Sequence, residues 1–205
     1  MLRRARKIQL QRISPLWKRL ETDILIARYA KEEQNMSFSL VPDAVFDHFS
    51  QIAPDELKRR GITLLLSDLD YTLAAKSTRQ PGEEVRQWID ALHGAGVQLM
   101  IVSNNRSGRR VNEFCAELGV PYQGHARKPS PRGLYAAMER SGASRACTAM
   151  LGDKLLTDVL AANRAGVIAL MVEPVGGAVT LWQKVLHAMQ EPFKRRCRAD
   201  LRRER

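Results

Sequence analysis

The chain has 205 residues and a net charge of +11, with 33 Lys/Arg against 22 Asp/Glu. That length holds one medium domain with extensions, or two small ones, and is enough to bury a core. No run of roughly 18 or more apolar residues occurs, which excludes a helical membrane span, and Cys115, Cys147 and Cys197 show neither disulfide nor metal-ligand spacing, so a reducing cytoplasm is the expected location.

The charge sits at the ends. Residues 1–35 hold nine Lys/Arg against four Asp/Glu, residues 192–205 hold seven against two, and residues 36–191 hold 17 against 16. Nucleic-acid binding by the fold itself would need a basic stripe on that near-neutral middle, so there is no strong nucleic-acid signal. Basic ends are instead attracted to anionic surfaces. The expected organisation is a basic N-terminal extension (1–35), one domain (36–191) and a basic, frayed C-terminal tail (192–205).

In chain order, Ser14-Pro15 resembles a helix start, and Leu16, Leu20, Ile24 and Ala27 form an apolar stripe to about Lys31. Three readings stay open: an amphipathic helix on an anionic membrane, a solvated extension, or a stretch upstream of the mature protein, with Met36 as an alternative start. Pro42-Asp43 and Pro54-Asp55 predict two short helices, the first turning Val45, Phe46 and Phe49 inward and the second Leu57. Gly61 then releases the chain into an apolar strand, Ile62 to Leu66.

A helix follows with Val85, Trp88, Ile89 and Leu92 at i, i+3, i+4 and i+7, then a strand from Val97 to Val102. Val111, Phe114, Cys115 and Leu118 mark the next helix, and Tyr122 to Ala126 is a weak strand or loop. A helix from about Pro131 to Arg140, a strand from Cys147 to Leu151, a helix from Leu155 to Arg164 and a last strand from Val167 to Val172 complete the alternation. A final helix runs from about Val179 to Gln190, with Pro192 as its stop. Strands alternating with helices imply an α/β fold, a doubly wound parallel sheet with helices on both faces.

Four of the expected strand ends carry polar residues: Asp68, Asp70 and Thr72; Ser103 and Asn104; Lys128; and Asp153 with Asp158. A parallel sheet brings such ends to one rim. Two acids one residue apart repel unless a cation lies between them or one stays protonated. A hard divalent cation such as Mg2+, with oxygen ligands and a phosphate, answers that need. Carboxylates, a lysine and phosphate-binding donors together suit phosphoryl transfer, whose transition state spreads negative charge over oxygens.

The motifs D-L-D-Y-T (68–72), S-N-N (103–105), K-P (128–129) and G-D-K-L-L-T-D (152–158) resemble those of haloacid dehalogenase-like (HAD) phosphatases of class IIIA, and most of all the YqeG-type subfamily related to phosphatidylglycerophosphate phosphatases. The likeness runs from about Ser39 to Pro174. It implies a Rossmann-like HAD fold with Asp68 as nucleophile, Asp70 as general acid and base, and Lys128 neutralising charge. It also implies Mg2+ held by Asp68, the backbone carbonyl of Asp70 and Asp153, with Asp158 in or next to that set, and phosphate oxygens held by Ser103, Asn104, Lys128 and Thr72. Tyr71 and Lys154 depart from the subfamily's usual asparagine and glutamine.

The intervals between motifs hold single helices, leaving no room for a cap domain. An open site suits a phosphate on something large, a lipid head group at a membrane, a nucleic acid end or a protein, and the basic ends would add peripheral contact with an anionic membrane at about 1 kcal/mol per basic residue. The expected activity is Mg2+-dependent hydrolysis of phosphatidylglycerophosphate or another large phosphomonoester. The alternatives are the same chemistry on a soluble metabolite or a nucleic acid 3′-phosphate, or a non-catalytic binding protein on this fold.

Overall fold

The computed structural model describes residues 39–105, 109–176 and 188–197. The predicted helix near Pro15 to Lys31, the extension that contains it and most of the predicted helix from Val179 lie outside the described residues.

Six parallel strands form one sheet: β1 (Ala44–Phe46), β2 (Leu64–Ser67), β3 (Gln98–Val102), β4 (Tyr122–Gln123), β5 (Thr148–Gly152) and β6 (Ile168–Val172), in the order β1-β6-β5-β2-β3-β4. The helices between them are α1 (Pro54–Arg59), α2 (Glu83–Gly94), α3 (Arg109–Leu118), α4 (Arg132–Ser141) and α5 (Leu160–Ala165). No further domain is inserted among the described residues, as the motif intervals predict.

The strands read as continuous apolar runs because both faces of the sheet are covered. On one face Leu65, Leu99, Ile101, Ala149 and Leu151 meet the apolar sides of α1, α2 and α3. On the other, Leu64, Leu66, Met100, Val102 and Met150 meet α4, α5 and residues Phe193 and Cys197. Successive residues of one strand alternate between the two cores, as a period of two requires. In α2 the predicted quartet Val85, Trp88, Ile89 and Leu92 is buried. Cutting fully buried Leu92 back to alanine would cost about 2–5 kcal/mol.

Three expectations are corrected. The segment after Pro42 is not a helix but edge strand β1, because Ala44, Val45 and Phe46 are buried on both sides and pair with Leu170, Met171 and Val172. Asp43 secures it from both directions: its N–H donates to Ala169 O at 2.8 Å, and its Oδ2 accepts from Ala169 N at 2.7 Å. The predicted helix from Leu155 opens instead with a π-helical turn, Leu155–Val159, before α5. Finally, the chain is helical from 188 to 197, straight through Pro192. Lys194 is fully buried there and pairs with Glu173 at 2.7 Å, and Cys197 is buried. The start of the expected tail is therefore part of the fold.

Candidate active site

The strand order reverses between β2 and β5, where the chain turns first to β3 and β4 and later crosses back. Ligands in open α/β sheets bind at that point, outside the carboxyl ends of the strands. The register sets Ser67 beside Leu151, and Asp68 N–H donates to Leu151 O at 2.9 Å. Asp68 and Asp153 thus leave neighbouring strands side by side. The third acid, Asp158, returns from the π-helical turn, and Gly152 lets it come close. A Cβ on Gly152 would lie 2.2 Å from Asp158 Cβ. π-turns inside helices often mark functional sites.

These acids surround an ammonium group. Lys128 Nζ lies 2.9 Å from Asp68 Oδ1 and 2.7 Å from Asp158 Oδ1, and all three residues are buried. Asn104 fixes the lysine's backbone: its Nδ2 donates to Lys128 O at 2.9 Å and its Oδ1 accepts from Lys128 N at 2.8 Å. Asp153 holds Lys154 Nζ at 2.6 and 2.7 Å and accepts from Thr72 Oγ1 at 3.3 Å. Asp158 Oδ2 accepts from Lys154 N at 3.1 Å.

Burial pushes the Asp68 carboxyl above its usual range; Lys128 and Lys154 oppose that push and Asp158 adds to it. Burial also raises Asp153, to about 7, with Lys154 opposing and Asp158 and Asp68 adding. For Lys128, burial works against the charged form, but Asp158 and Asp68 outweigh it and the pKa is raised. Three buried carboxylates therefore share a site with two ammonium groups, and two of the three resist ionising.

That chemistry fits a divalent metal. Asp68, Asp153 and Asp158 offer carboxylate oxygens that all lie within 4.8 Å of one another. Oxygen-only donors favour hard cations over the metals that prefer thiolate or imidazole, and an added double charge would offset both the burial and the mutual repulsion that raise Asp68 and Asp153.

Not every predicted site residue faces the cavity in the same way. The cavity, of about 450 Å³, is lined by Asp68, Asp70, Ser103, Asn104, Lys128 and Asp158, among others. Thr72 lies behind it, fully buried, with its hydroxyl on Asp153. The Asn104 side chain is occupied with Lys128, and Ser103 Oγ accepts from Asn105 N at 3.1 Å. Asp70 stands apart from the other acids: its carboxylate Oδ1 accepts from Arg110 Nη1. Tyr71, at φ 69°, begins the tight turn that follows, and its ring lies 5.4 Å from Lys154 Nζ.

Sequence reasoning missed Arg110 and Lys76. Lys76 lines the cavity from the loop after the first motif. Arg110 occupies a polar position of α3 beside buried Val111, and no local pattern separates it from its neighbour Arg109, which is exposed and pairs along the helix with Glu113.

The profile of the haloacid dehalogenase-like hydrolases matches residues 5–166. A protein described as probable phosphatase YqeG, from Bacillus subtilis (strain 168), is 33% identical over 138 residues, covering 67% of this chain and 80% of that one. Among solved structures, the cobalt-bound deoxy-D-mannose-octulosonate 8-phosphate phosphatase YrbI of Haemophilus influenzae is similar at 20% identity and TM-score 0.44, over 56% of this chain and 70% of that one. A putative HAD subfamily III A hydrolase of Legionella pneumophila is similar at 15% identity and TM-score 0.44, over 70% and 90%. The chain belongs to the haloacid dehalogenase-like hydrolase family, as a phosphatase of that superfamily.

Proposed function

We propose that this chain is a Mg2+-dependent phosphomonoester hydrolase that works through an aspartyl phosphate on Asp68, and that its substrate is a phosphate carried on something large, with phosphatidylglycerophosphate or a similar phospholipid foremost. The observation that carries the chemistry is Lys128 Nζ, seated between Asp68 and Asp158 beside Asp153. Asp68, Asp153 and Asp158, with the backbone carbonyl of Asp70, would hold the metal, which supplies positive charge against the phosphate oxygens.

Lys128 occupies Asp68 Oδ1 and so leaves Oδ2 for phosphorus. As the Asp68–phosphorus bond forms, the bond to the leaving oxygen breaks, and the Asp70 carboxyl gives that oxygen its proton. Water then attacks phosphorus, passes a proton back to Asp70 and releases inorganic phosphate from Asp68. Lys128, Ser103 and the Asn104 backbone amide take up charge on the phosphate oxygens. Thr72 and the Asn104 side chain act behind them by holding Asp153 and Lys128.

The substrate reading rests on openness. The cavity has no cap over it among the described residues. Among those residues, too, no helix is long and apolar enough to cross a membrane, so contact with a bilayer would be peripheral, through the basic ends. The test is phosphate release by the full chain, with Mg2+ and with chelator, from phosphatidylglycerophosphate vesicles, glycerol phosphate, nucleotides and a 3′-phosphorylated oligonucleotide. Mg2+-dependent release, fastest from the vesicles, is expected. Faster release from a soluble compound would overturn the lipid substrate. No release from any of them by folded protein would make this a binding protein.

A further inference from the structure

Arg110 has no place in the chemistry so far, yet its guanidinium reaches the carboxylate of Asp70, which lines the cavity. Its side chain is only 21% exposed, beside an Asp70 side chain at 20%. Nε donates to Thr78 O at 3.0 Å, Nη2 donates to Ala75 O at 3.1 Å, and Nη1 donates to Asp70 Oδ1. One planar group thus ties three parts of the site together: the start of α3, the loop 75–78 that carries cavity-lining Lys76, and the carboxylate of Asp70. A guanidinium offers five donors in a fixed fork, so these contacts hold direction as well as distance.

Among the described residues, Asp70 has few other restraints. It follows β2 on a turn closed by the bridge between Asp70 and Ala74 and by Tyr71 N–H donating to Ala74 O at 2.8 Å. These fix its backbone and leave the side-chain torsions open. A general acid must lie within hydrogen-bond reach of the oxygen it protonates, and a side chain free to rotate spends much of its time elsewhere.

The geometry points to Arg110 as the residue that positions the general acid: by holding Asp70 Oδ1, it leaves Oδ2 to carry the proton toward the leaving oxygen. The inference rests on the proposed role of Asp70, and the experiment separates the two. A nitrophenolate leaving group departs without a proton, whereas an alkoxide needs one. The ratio kcat/KM reports steps through phosphoryl transfer to Asp68, so later hydrolysis of the aspartyl phosphate does not blur it. The full chain with Mg2+ is assayed on 4-nitrophenyl phosphate and glycerol phosphate.

Asp70→Asn should lose about 100-fold or more on the alkyl ester and far less on the aryl ester. Arg110→Met should show the same selectivity, about 100-fold against about threefold, and should add little in the Asp70→Asn background, since both changes remove one device. Arg110→Lys should behave like the methionine variant, because one ammonium cannot span three acceptors. It also keeps the charge should the methionine variant melt too low to assay. Equal losses on both esters in the Arg110 variants, with Asp70→Asn still selective, would overturn the inference and leave Arg110 a loop staple. Full activity with lysine would overturn it as well. An unselective Asp70→Asn would instead remove the general acid itself, and the inference with it.

Discussion

The floor and the rim of the cavity are built on different principles. The floor is Asp68, Lys128 and Asp158, backed by Asp153, which does not itself line the cavity, and all four are buried. It is set by strand ends, by a glycine that lets Asp158 approach, and by the Asn104 side chain clamped on the backbone of Lys128. The rim is Asp70, Tyr71, Lys76 and Lys154, with Arg110 behind it on Asp70, all at least partly open to solvent. It stands on a loop, a turn and a helix start, and is held by side chains reaching from elsewhere. Charges in the floor interact with little screening, while those in the rim are softened by water. Substitutions in the floor should therefore have steep effects, and those in the rim shallow or selective ones.

The steepest expected effect is Asp68→Asn. Losing the nucleophile should lower turnover by about 10⁴-fold or more, measured as Mg2+-dependent phosphate release. The fold should not suffer. Burial already disfavours the charged carboxylate of Asp68, so a neutral amide there should melt no lower than the native side chain near neutral pH. A variant that keeps its activity would remove Asp68 as nucleophile. Lys128→Met comes next and should fail in stability as well as rate. It leaves Asp68 and Asp158 facing each other without the cation between them, and breaking a buried pair in this way costs about 3–5 kcal/mol. Urea unfolding without metal reads it; an unchanged midpoint would show that the floor is not one electrostatic unit.

The same division explains what the sequence made legible. Asp68, Ser103 and Asp153 follow apolar runs that read as strands, and a parallel sheet must bring such ends together. Lys128 and Asp158 were found through their motif neighbours. The contacts that organise them were not legible: a clamp from Asn104 spans 24 residues of sequence, and one from Thr72 spans 81. Arg110 reaches back 40 residues to Asp70, and a polar residue on a helix gives no sign of what it will meet. Strand β1 was misread because three apolar residues after Pro-Asp satisfy a helix start as well as a buried edge strand, and only pairing with β6 separates the two. Pro192 misled in the same way: packing of Phe193, Lys194 and Cys197 outweighs its local tendency to end a helix.

A third prediction concerns pH and sharpens the contrast through Asp153. Its folded pKa of about 7 lies above the ordinary 3.8, so the folded chain holds this proton more tightly than the unfolded chain does. That contribution is complete below the unfolded value of 3.8 and is lost progressively as pH rises from there through about 7. With chelator present, the melting temperature should fall from about pH 4 to about pH 7 and level off above that. Mg2+, which favours the ionised acids, should flatten or reverse the slope. A metal-free melting temperature that rises over this interval would mean that the three carboxylates are already well compensated.

The smallest effect belongs to the rim, where Tyr71 and Lys154 stand against each other. Tyr71 sits at φ 69°, a region that costs most side chains about 1–2 kcal/mol and that asparagine enters more easily. Against that cost stands the ammonium of Lys154, 5.4 Å from the ring centre, an attraction of about 0.5–1 kcal/mol at a partly exposed site. Tyr71→Asn thus removes a strain and an attraction of similar size, and the net change should be a stabilisation below about 1 kcal/mol. Made in a Lys154→Gln background, where the attraction is already gone, the same substitution should stabilise more, by roughly the 0.5–1 kcal/mol of the missing pair. Thermal melts of the four proteins measure that difference. Identical gains in both backgrounds would show that the ring and the ammonium do not interact, and that Tyr71 is only a strained turn residue at the cavity mouth.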